Sequence, residues 1–452
     1  MWQFCRDVIN GSDAVKAHAE VYVPRGKIDK DEYVRMIQRG EFFPATSRTA
    51  EGVHGLVFSK QPTTTGLDKQ EAYTENIDGK GNGLFKFLSD VTWELMKVGW
   101  GGILVDAPNT EGGSQLQAEQ LEMLPYCTFY RAEDIINVRT KTVGRKKVLS
   151  LVVLREFEEV TTTDIFTTEV KTQYRVLDLD EYGKYRNTLY TDKGEIAAGP
   201  AYPKKKGKLL EYIPFYFKDI EPQKPMFKDL ADVNIGHFRL SVDHRNGLHW
   251  TAVPTPYVLG YLPEPEMVQT SDGTYEEKAK DPVILGGSKV MYFPQGTTEF
   301  KYLEFSGAGL AQIVTAMDRA EERMAILGAR IISAEKKGVE SAETARIHRA
   351  GENSVIATFA NECSVFFTAV IKDYLEWCNN GELADDVTIK INTDFDLSKM
   401  DASELASLVS CWQDGGISKK VLFANLKEGE IIPPDITFED MEQEIAEEGT
   451  KA

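Results

Sequence analysis

Two helical stretches of nearly equal length, 227–252 and 307–333, enclose the β-type segment 253–306, and this arrangement restricts the fold more than any other feature of the chain. At 1.5 Å per residue each helix is about 40 Å long. The first is closed by Pro254 and Pro256, because a residue preceding proline is pushed into extended backbone. The second follows Ser306-Gly-Ala-Gly309 and gathers Leu310, Ile313, Val314, Met317, Glu321, Met324, Leu327 and Ile331 on one face, all apolar but Glu321. Between them, Tyr257-Val-Leu259, Pro282-Val-Ile-Leu285 and Val290-Met-Tyr-Phe293 read as short strands, with a polar hairpin tip at Ser271-Asp-Gly-Thr274.

The flanking regions differ in period. Up to about residue 110 the chain reads as helices and loops, with Phe85, Leu88, Val91, Leu95 and Val98 forming one helical stripe. Gly99-Trp-Gly-Gly102 stops that helix before a buried strand, Ile103–Asp106, ended by Pro108. From 125 to 218 β-branched and aromatic residues dominate. Val148–Phe157 is one strand, continued by Thr161–Val170. Tyr174–Asp180 and Lys184–Tyr190 form a hairpin around Gly183, and Ile213–Phe217 closes the block. A further long helix starts at Ser341, a good N-cap, and runs to Leu375. Gly351 inside it costs about 1 kcal/mol against alanine and invites a kink. The end of the chain is a strand, Val387–Ile391, and short helices.

Composition narrows the function classes. With 452 residues and 42% hydrophobic content the chain has enough for two or three cored domains. The most apolar run, Cys363–Ile371, is bounded by Asn361, Glu362, Lys372 and Asp373, and the N-terminus lacks the basic-then-apolar build of a signal peptide, so no membrane role is expected. Cysteines 5, 127, 363, 378 and 411 are scattered and form no CxxC pair, which speaks against a disulfide framework or a zinc cluster. They read as buried apolar residues or free thiols. The net charge is −19, and residues 379–452 hold 17 acidic against 6 basic residues, or −11 of it. A protein that grips DNA shows a basic stripe. Here no such stripe is expected, and the run Lys204-Lys205-Lys206 reads as a solvated loop.

Motifs that carry chemistry are mostly wanting. No Gly-Lys pair continues to Ser or Thr, so there is no P-loop. Asp78-Gly-Lys-Gly-Asn-Gly83 lacks G-x-G-x-x-G spacing and reads as a turn before the helix that follows. Asp178-Leu-Asp180 with Gly183 imitates an EF-hand start, but Leu189 stands where a bidentate Glu is required. His237, His244 and His249 share a predicted helix without an i, i+4 pair, which favours structural histidines over a metal site. There is no G-x-S-x-G elbow. The reading is no catalytic residue, no cofactor and no metal, hence not an enzyme.

The order of elements resembles the wing, stem, clip, stem, tunnel helix and crown of tailed-phage portal proteins. Several patterns look like one branch of them, long catalogued as an uncharacterised phage domain. These are Tyr33-Val-Arg35 with Phe42, Arg48–Gly55, Gly101–Pro108, Tyr130–Asn137, Met324–Ala329 with Glu343-Thr-Ala345, and Asp414–Ser418 through Leu426 and Gly429. The resemblance implies an α+β chain with an α/β wing (1–226), stem helices 227–252 and 307–333, a small β-rich clip (253–306), a tunnel loop and kinked helix (334–378) and a helical crown (379–452). It implies a dodecameric ring at the portal vertex of the virion, made in the host cytoplasm, through which double-stranded DNA is packaged and ejected. Its partners would be further copies of the chain, the large terminase, head-tail adaptor proteins, and the major capsid and scaffolding proteins. The loop carrying Lys336 and Lys337 offers candidates for contact with passing DNA, although two lysines on an exposed loop are equally a solvated feature. Asp272, Tyr275, Glu276 and Glu277 at the clip hairpin are candidates for docking terminase or adaptor. Acidic surfaces facing the channel would let DNA slide. Two rivals predict otherwise: an adaptor or tail protein would lack long stem helices, and an intracellular hydrolase would be a small oligomer with a concave carboxylate pocket.

Overall fold

The computed structural model describes residues 1–67, 71–107, 124–161, 166–205, 207–252, 255–259, 266–269, 272–278, 284–285, 288–289, 291–293, 299–303, 309–332, 342–378, 386–393, 395, 402–413, 416–428, 431–432 and 436–449. The architecture is α+β, in two compact units, Met1–Thr393 and Asp394–Ala452.

The larger unit begins with helices α1 (Trp2–Asn10), α2 (Ser12–Ala17), α3 (Ala19–Tyr22), α4 (Lys30–Arg39) and α5 (Ala45–Val57), strand β1 (Thr63–Thr65) and helices α6 (Glu71–Thr74) and α7 (Leu84–Val98). Asp29 caps α4 by accepting from the amides of Asp31 and Glu32. Gly99 ends α7 in the left-handed conformation, φ 74°, and a Cβ there would stand 2.8 Å from the Gln223 carbonyl. The buried face of α7 holds Leu84, Phe87, Leu88, Val91, Leu95 and Val98. Phe85, expected in that stripe, is 41% exposed, because the core face is centred one residue earlier.

Strand β2 (Gly101–Asp106) is buried along its whole length, as the apolar run Ile103–Val105 requires. It is the centre of an antiparallel sheet with β3 (Tyr126–Arg131) and Phe215–Phe217. The latter strand therefore does not close the main β block as the sequence suggested. It crosses to β2, where Gly102 leaves room for the Phe215 ring: a Cβ would be 2.2 Å from it. The main sheet is an antiparallel meander of β4 (Ile135–Val143), β5 (Lys146–Thr161), β6 (Thr168–Leu179), β7 (Tyr185–Thr191) and β8 (Ile196–Ala201). The expected hairpin around Gly183 is its β6–β7 turn, where Asp180 Oδ1 accepts from the amides of Tyr182 and Lys184. Val152, Leu154, Leu177 and Tyr185 pack with Trp100, Leu104 and Phe215 to join the two sheets. Inside that junction Arg175 pairs with Glu156 at 2.5 Å and lies 3.7 Å from Asp106, whose carboxyl is pushed up by burial.

Helices α8 (Lys228–Ala252), α9 (Leu310–Ile332) and α10 (Ala342–Cys378) follow, with the short strands of 255–303 between the first two. Helix α10 runs without interruption through Gly351. Its segment Val355–Cys378 is long and apolar enough to cross a bilayer by length and composition, more than the sequence reading allowed. Its residues Phe367, Val370, Ile371, Tyr374 and Leu375 are nevertheless buried in protein, and Asp373 and Glu376 each pair with Lys205 at 2.6 Å. Such charges are costly in lipid, and the segment packs as a core helix. The same pairs correct the reading of 204–206 as a solvated loop: the middle lysine is fixed to α10. Strand Thr388–Lys390 pairs with β1, so this C-terminal strand belongs to the larger unit.

The smaller unit contains α11 (Ala402–Gln413), α12 (Lys419–Glu428) and α13 (Phe438–Gly449). Thr437 and Asp440 cap α13 reciprocally, and Phe423 meets Phe438 edge-on at 5.5 Å.

Candidate functional site

Helices α8 and α9 are the elements the sequence singles out, and they pack antiparallel. His237 Nε2 meets Glu321 Oε1 at 3.1 Å, while Gly247 faces Leu310, so contacts further along one helix lie further back along the other. Glu321, the single polar residue of the expected α9 face, is thus the partner of a buried histidine. Met324 is 2% exposed on that face, whereas Val314, assigned to it from sequence, is 40% exposed.

The first half of α8 is rooted in the N-terminal helices. Ala231, Ile235, Phe238 and Val242 are buried against Val8, Tyr33, Met36 and Ile37. Asn234, fully buried, accepts from Thr46 N at 3.2 Å and Thr46 Oγ1 at 2.8 Å, and donates to the Phe43 carbonyl at 2.8 Å. Ser241 Oγ accepts from Glu41 N at 2.9 Å. Arg245 pairs with Glu41 and holds that carboxylate below its usual range. The foot end of α9 lies against α5, where Gly328 approaches the Thr49 hydroxyl.

Beyond residue 242 the character changes. Asp243, Arg245, Leu248, His249 and Trp250 are exposed. Helix α8 balances Lys228, Arg239 and Arg245 against Asp229, Asp232 and Asp243, and α9 balances Arg319, Arg323 and Arg330 against Asp318, Glu321 and Glu322. The acidic excess of the chain does not come from these helices.

At the outer end of the pair, strand Thr255–Leu259 is central to a three-stranded sheet, parallel to Met291–Phe293 and antiparallel to Glu299–Leu303. The pairing of Thr255 with Leu303 closes the insertion where the two helices meet it. Strand Glu299–Leu303 was missed from sequence, although Phe300 and Tyr302 alternating with Glu299 and Lys301 carry the period-two signal. Glu266–Gln269 pairs with Tyr275–Lys278 as the expected hairpin, and Asp272 Oδ1 accepts from Thr274 N and Oγ1 at its tip. Tyr275 is 63% exposed, and Glu276 and Glu277 stand opposite Val268 and Met267 in register. Met267 and Val268 are also exposed, so the docking candidates share their hairpin with an apolar pair that sequence reading passed over. Lys336 and Lys337 lie outside the described residues.

Other motifs resolve structurally. Asp78 Oδ1 accepts from Lys80 N and Asn82 N, and Asn76 Oδ1 from Gly81 N, so the glycine-rich turn spends its amides on itself. His237 is buried at the helix seam and His249 stacks edge-on with Trp250.

Residues 225–378 match a family model described as a domain of unknown function, DUF4055. The match begins just before α8 and ends with α10, so it covers the helix pair, its β insertion and the long helix, about a third of the chain. No curated protein matches. Among solved structures the chain is similar to a chain in the neck of an empty GTA particle computed with C6 symmetry, at 13% identity and a TM-score of 0.40 over 90% of this chain and 95% of that one. A chain in the virion of a native gene transfer agent (GTA) particle gives 12%, 0.38, 89% and 94%. One in the neck of a native GTA particle computed with C12 symmetry gives 12%, 0.36, 88% and 93%.

Proposed function

We propose that the chain is a tailed-phage portal protein, one subunit of a dodecameric ring that conducts double-stranded DNA at the capsid vertex. The observation that carries this reading is the antiparallel pair α8–α9, rooted at one end and closed at the other by a β insertion whose first and last strands pair. Around a ring, helices of about 35 Å would form a channel wall. In this reading residues 1–226 are the wing, α8 and α9 the stem, 253–306 the clip, 334–378 the tunnel loop and helix, and 379–452 the crown. The clip hairpin, with Asp272, Tyr275, Glu276 and Glu277, faces terminase and adaptor, and Lys336 and Lys337 meet passing phosphate. The protein acts by shape and not by catalysis, in the virion, alongside capsid and scaffolding proteins.

The test is electron microscopy and mass measurement of the purified chain. Rings of roughly a dozen subunits with an open centre are expected. Only monomer or dimer across concentration and salt, with no rings inside capsids, rejects the reading.

A further inference from the structure

Strand β5 has oppositely charged surroundings at its two ends. At its start, the β4–β5 hairpin carries Arg139, Lys141, Arg145, Lys146 and Lys147 and no acidic residue between 138 and 148. All five are exposed, and none forms an ion pair among the described residues. Val143 at the same tip is 56% exposed. At the far end, β4 stops pairing at Leu154 and β7 stops at Gln173, so residues 157–161 and 168–172 pair only with each other. They form a two-stranded ribbon projecting past the sheet. It exposes Glu158, Glu159 and Glu169 against one cation, Lys171, and leaves Phe157 57% and Val170 58% exposed.

The ribbon's register sorts these side chains. Phe157 stands opposite Thr172 and Glu159 opposite Val170, so Phe157, Glu159 and Val170 share the face turned away from core residues Val152 and Leu154. On that face Glu159 flanks the apolar pair and Arg155 lies over the Phe157 ring at 5.5 Å, while Glu158 and Glu169 stand on the ribbon's other face. An arm with three carboxylates and an apolar pair suits a partner with cations around an apolar residue. The β4–β5 tip, with Val143 among its five cations, has that composition. The two tips of one subunit cannot meet. Some fifteen residues of continuous strand, at about 3.3 Å each, hold them about 50 Å apart.

We infer that the ribbon of one copy docks on the β4–β5 hairpin of the next, in a head-to-tail contact joining an acidic, apolar arm to a basic tip. Two different patches on opposite ends of one subunit make a heterologous interface, which propagates into a ring when the rotation closes and a filament when it does not. An isolated two-stranded ribbon is marginal in water, and seating it on a neighbour would bury its apolar face. The contact stands on charge and geometry; only its closure into a ring rests on the proposed function.

The test is a charge swap in the full chain, read by mass photometry and electron microscopy. One variant carries Arg145→Glu, Lys146→Glu and Lys147→Glu, a second carries Glu158→Lys and Glu159→Lys, and a third carries all five. Each of the first two should weaken association by about tenfold or more, and the third should restore most of it. Wild-type assembly should also weaken in high salt. Melting curves check that the variants fold; if a reversal set does not, the corresponding Gln substitutions replace it, with a smaller loss expected. Wild-type assembly in both partial variants, or failure of the five-fold variant to recover, overturns the contact. So does a basic-tip variant that assembles normally but no longer binds a short DNA duplex, which would make that tip a nucleic-acid surface. Swap-sensitive filaments would keep the contact and reject the ring, whereas swap-insensitive rings would do the reverse.

Discussion

The foot of the helix pair and its outer half are made by the same two helices and are held by different means. In the foot, α8 buries Leu230, Ile235, Phe238 and Val242 and completes the hydrogen bonds of α5 through Asn234. Burial of side chains of this size is worth about 1.5–3 kcal/mol each. The outer half, beyond the His237–Glu321 contact, meets its partner at Gly247–Leu310 and leaves Leu248, Trp250 and Val314 exposed. The foot is therefore specified within one chain. The outer half leaves apolar side chains uncovered in the single chain.

The largest expected effect tests the foot. Asn234→Ala removes the acceptor of Thr46 N and Oγ1 and the donor to the Phe43 carbonyl, in a site without exposure. Buried groups left without partners cost about 1–3 kcal/mol each in the worst case, and partial relaxation makes a loss of about 2–4 kcal/mol the expected total. Hydrogen exchange at the Thr46 amide should accelerate together with a lower melting temperature. A loss below about 0.5 kcal/mol would mean that the foot is held by apolar packing alone.

A pair of glycines compares the two halves directly. A Cβ on Gly40 would stand 2.5 Å from Val242 Cγ2 and 3.3 Å from the Phe238 ring, inside the packed foot. Valine is stiff at χ1, so Gly40→Ala should cost about 1–3 kcal/mol by overpacking. A Cβ on Gly247 would stand equally close, 2.5 Å, to Leu310 Cδ2, the free end of a longer side chain at the exposed half. There the leucine can turn away, and replacing a mid-helix glycine returns about 1 kcal/mol of helix propensity. Gly247→Ala is expected to be near neutral. Equal losses at both positions, measured by thermal denaturation, would erase the difference between the halves.

What the sequence disclosed follows the same division. Helices α8, α9 and α10 and the hairpin of Glu266–Gln269 with Tyr275–Lys278 were legible because long helical stripes and an Asp-Gly turn are local signals. Contacts between distant segments were not. Nothing near Asn234 announces Thr46, 188 residues away, and nothing in Lys204-Lys205-Lys206 announces Asp373. Phe215–Phe217 reads as a strand, but its partner β2 depends on Gly102 giving space to a ring, which only the packed structure decides. At the candidate site the hairpin tip was legible as a turn, whereas the exposure of Met267 and Val268 beside it was not, since apolar residues in a strand usually point to a core.

The smallest expected effect on the subunit concerns the outer half. Leu248→Ser with Trp250→Ser removes two side chains that are 39% and 53% exposed. Exposed substitutions away from caps and buried networks stay within about 0.5 kcal/mol, so the melting temperature of the dissociated subunit should hardly move. Assembly should respond more, because Trp is among the side chains that dominate interfaces once they are covered. The measurement is therefore made twice on one variant: denaturation of the isolated subunit at low concentration, and mass photometry at concentrations where the wild type assembles. Unchanged stability with weakened assembly supports the division between a self-sufficient foot and an outer half completed by neighbours. A stability loss comparable to that of Asn234→Ala would show that the outer half is specified within the chain as well. Unchanged assembly would leave Leu248 and Trp250 as ordinary exposed residues, and the contacts between copies would then have to lie elsewhere, with the β5–β6 ribbon as the first place to look.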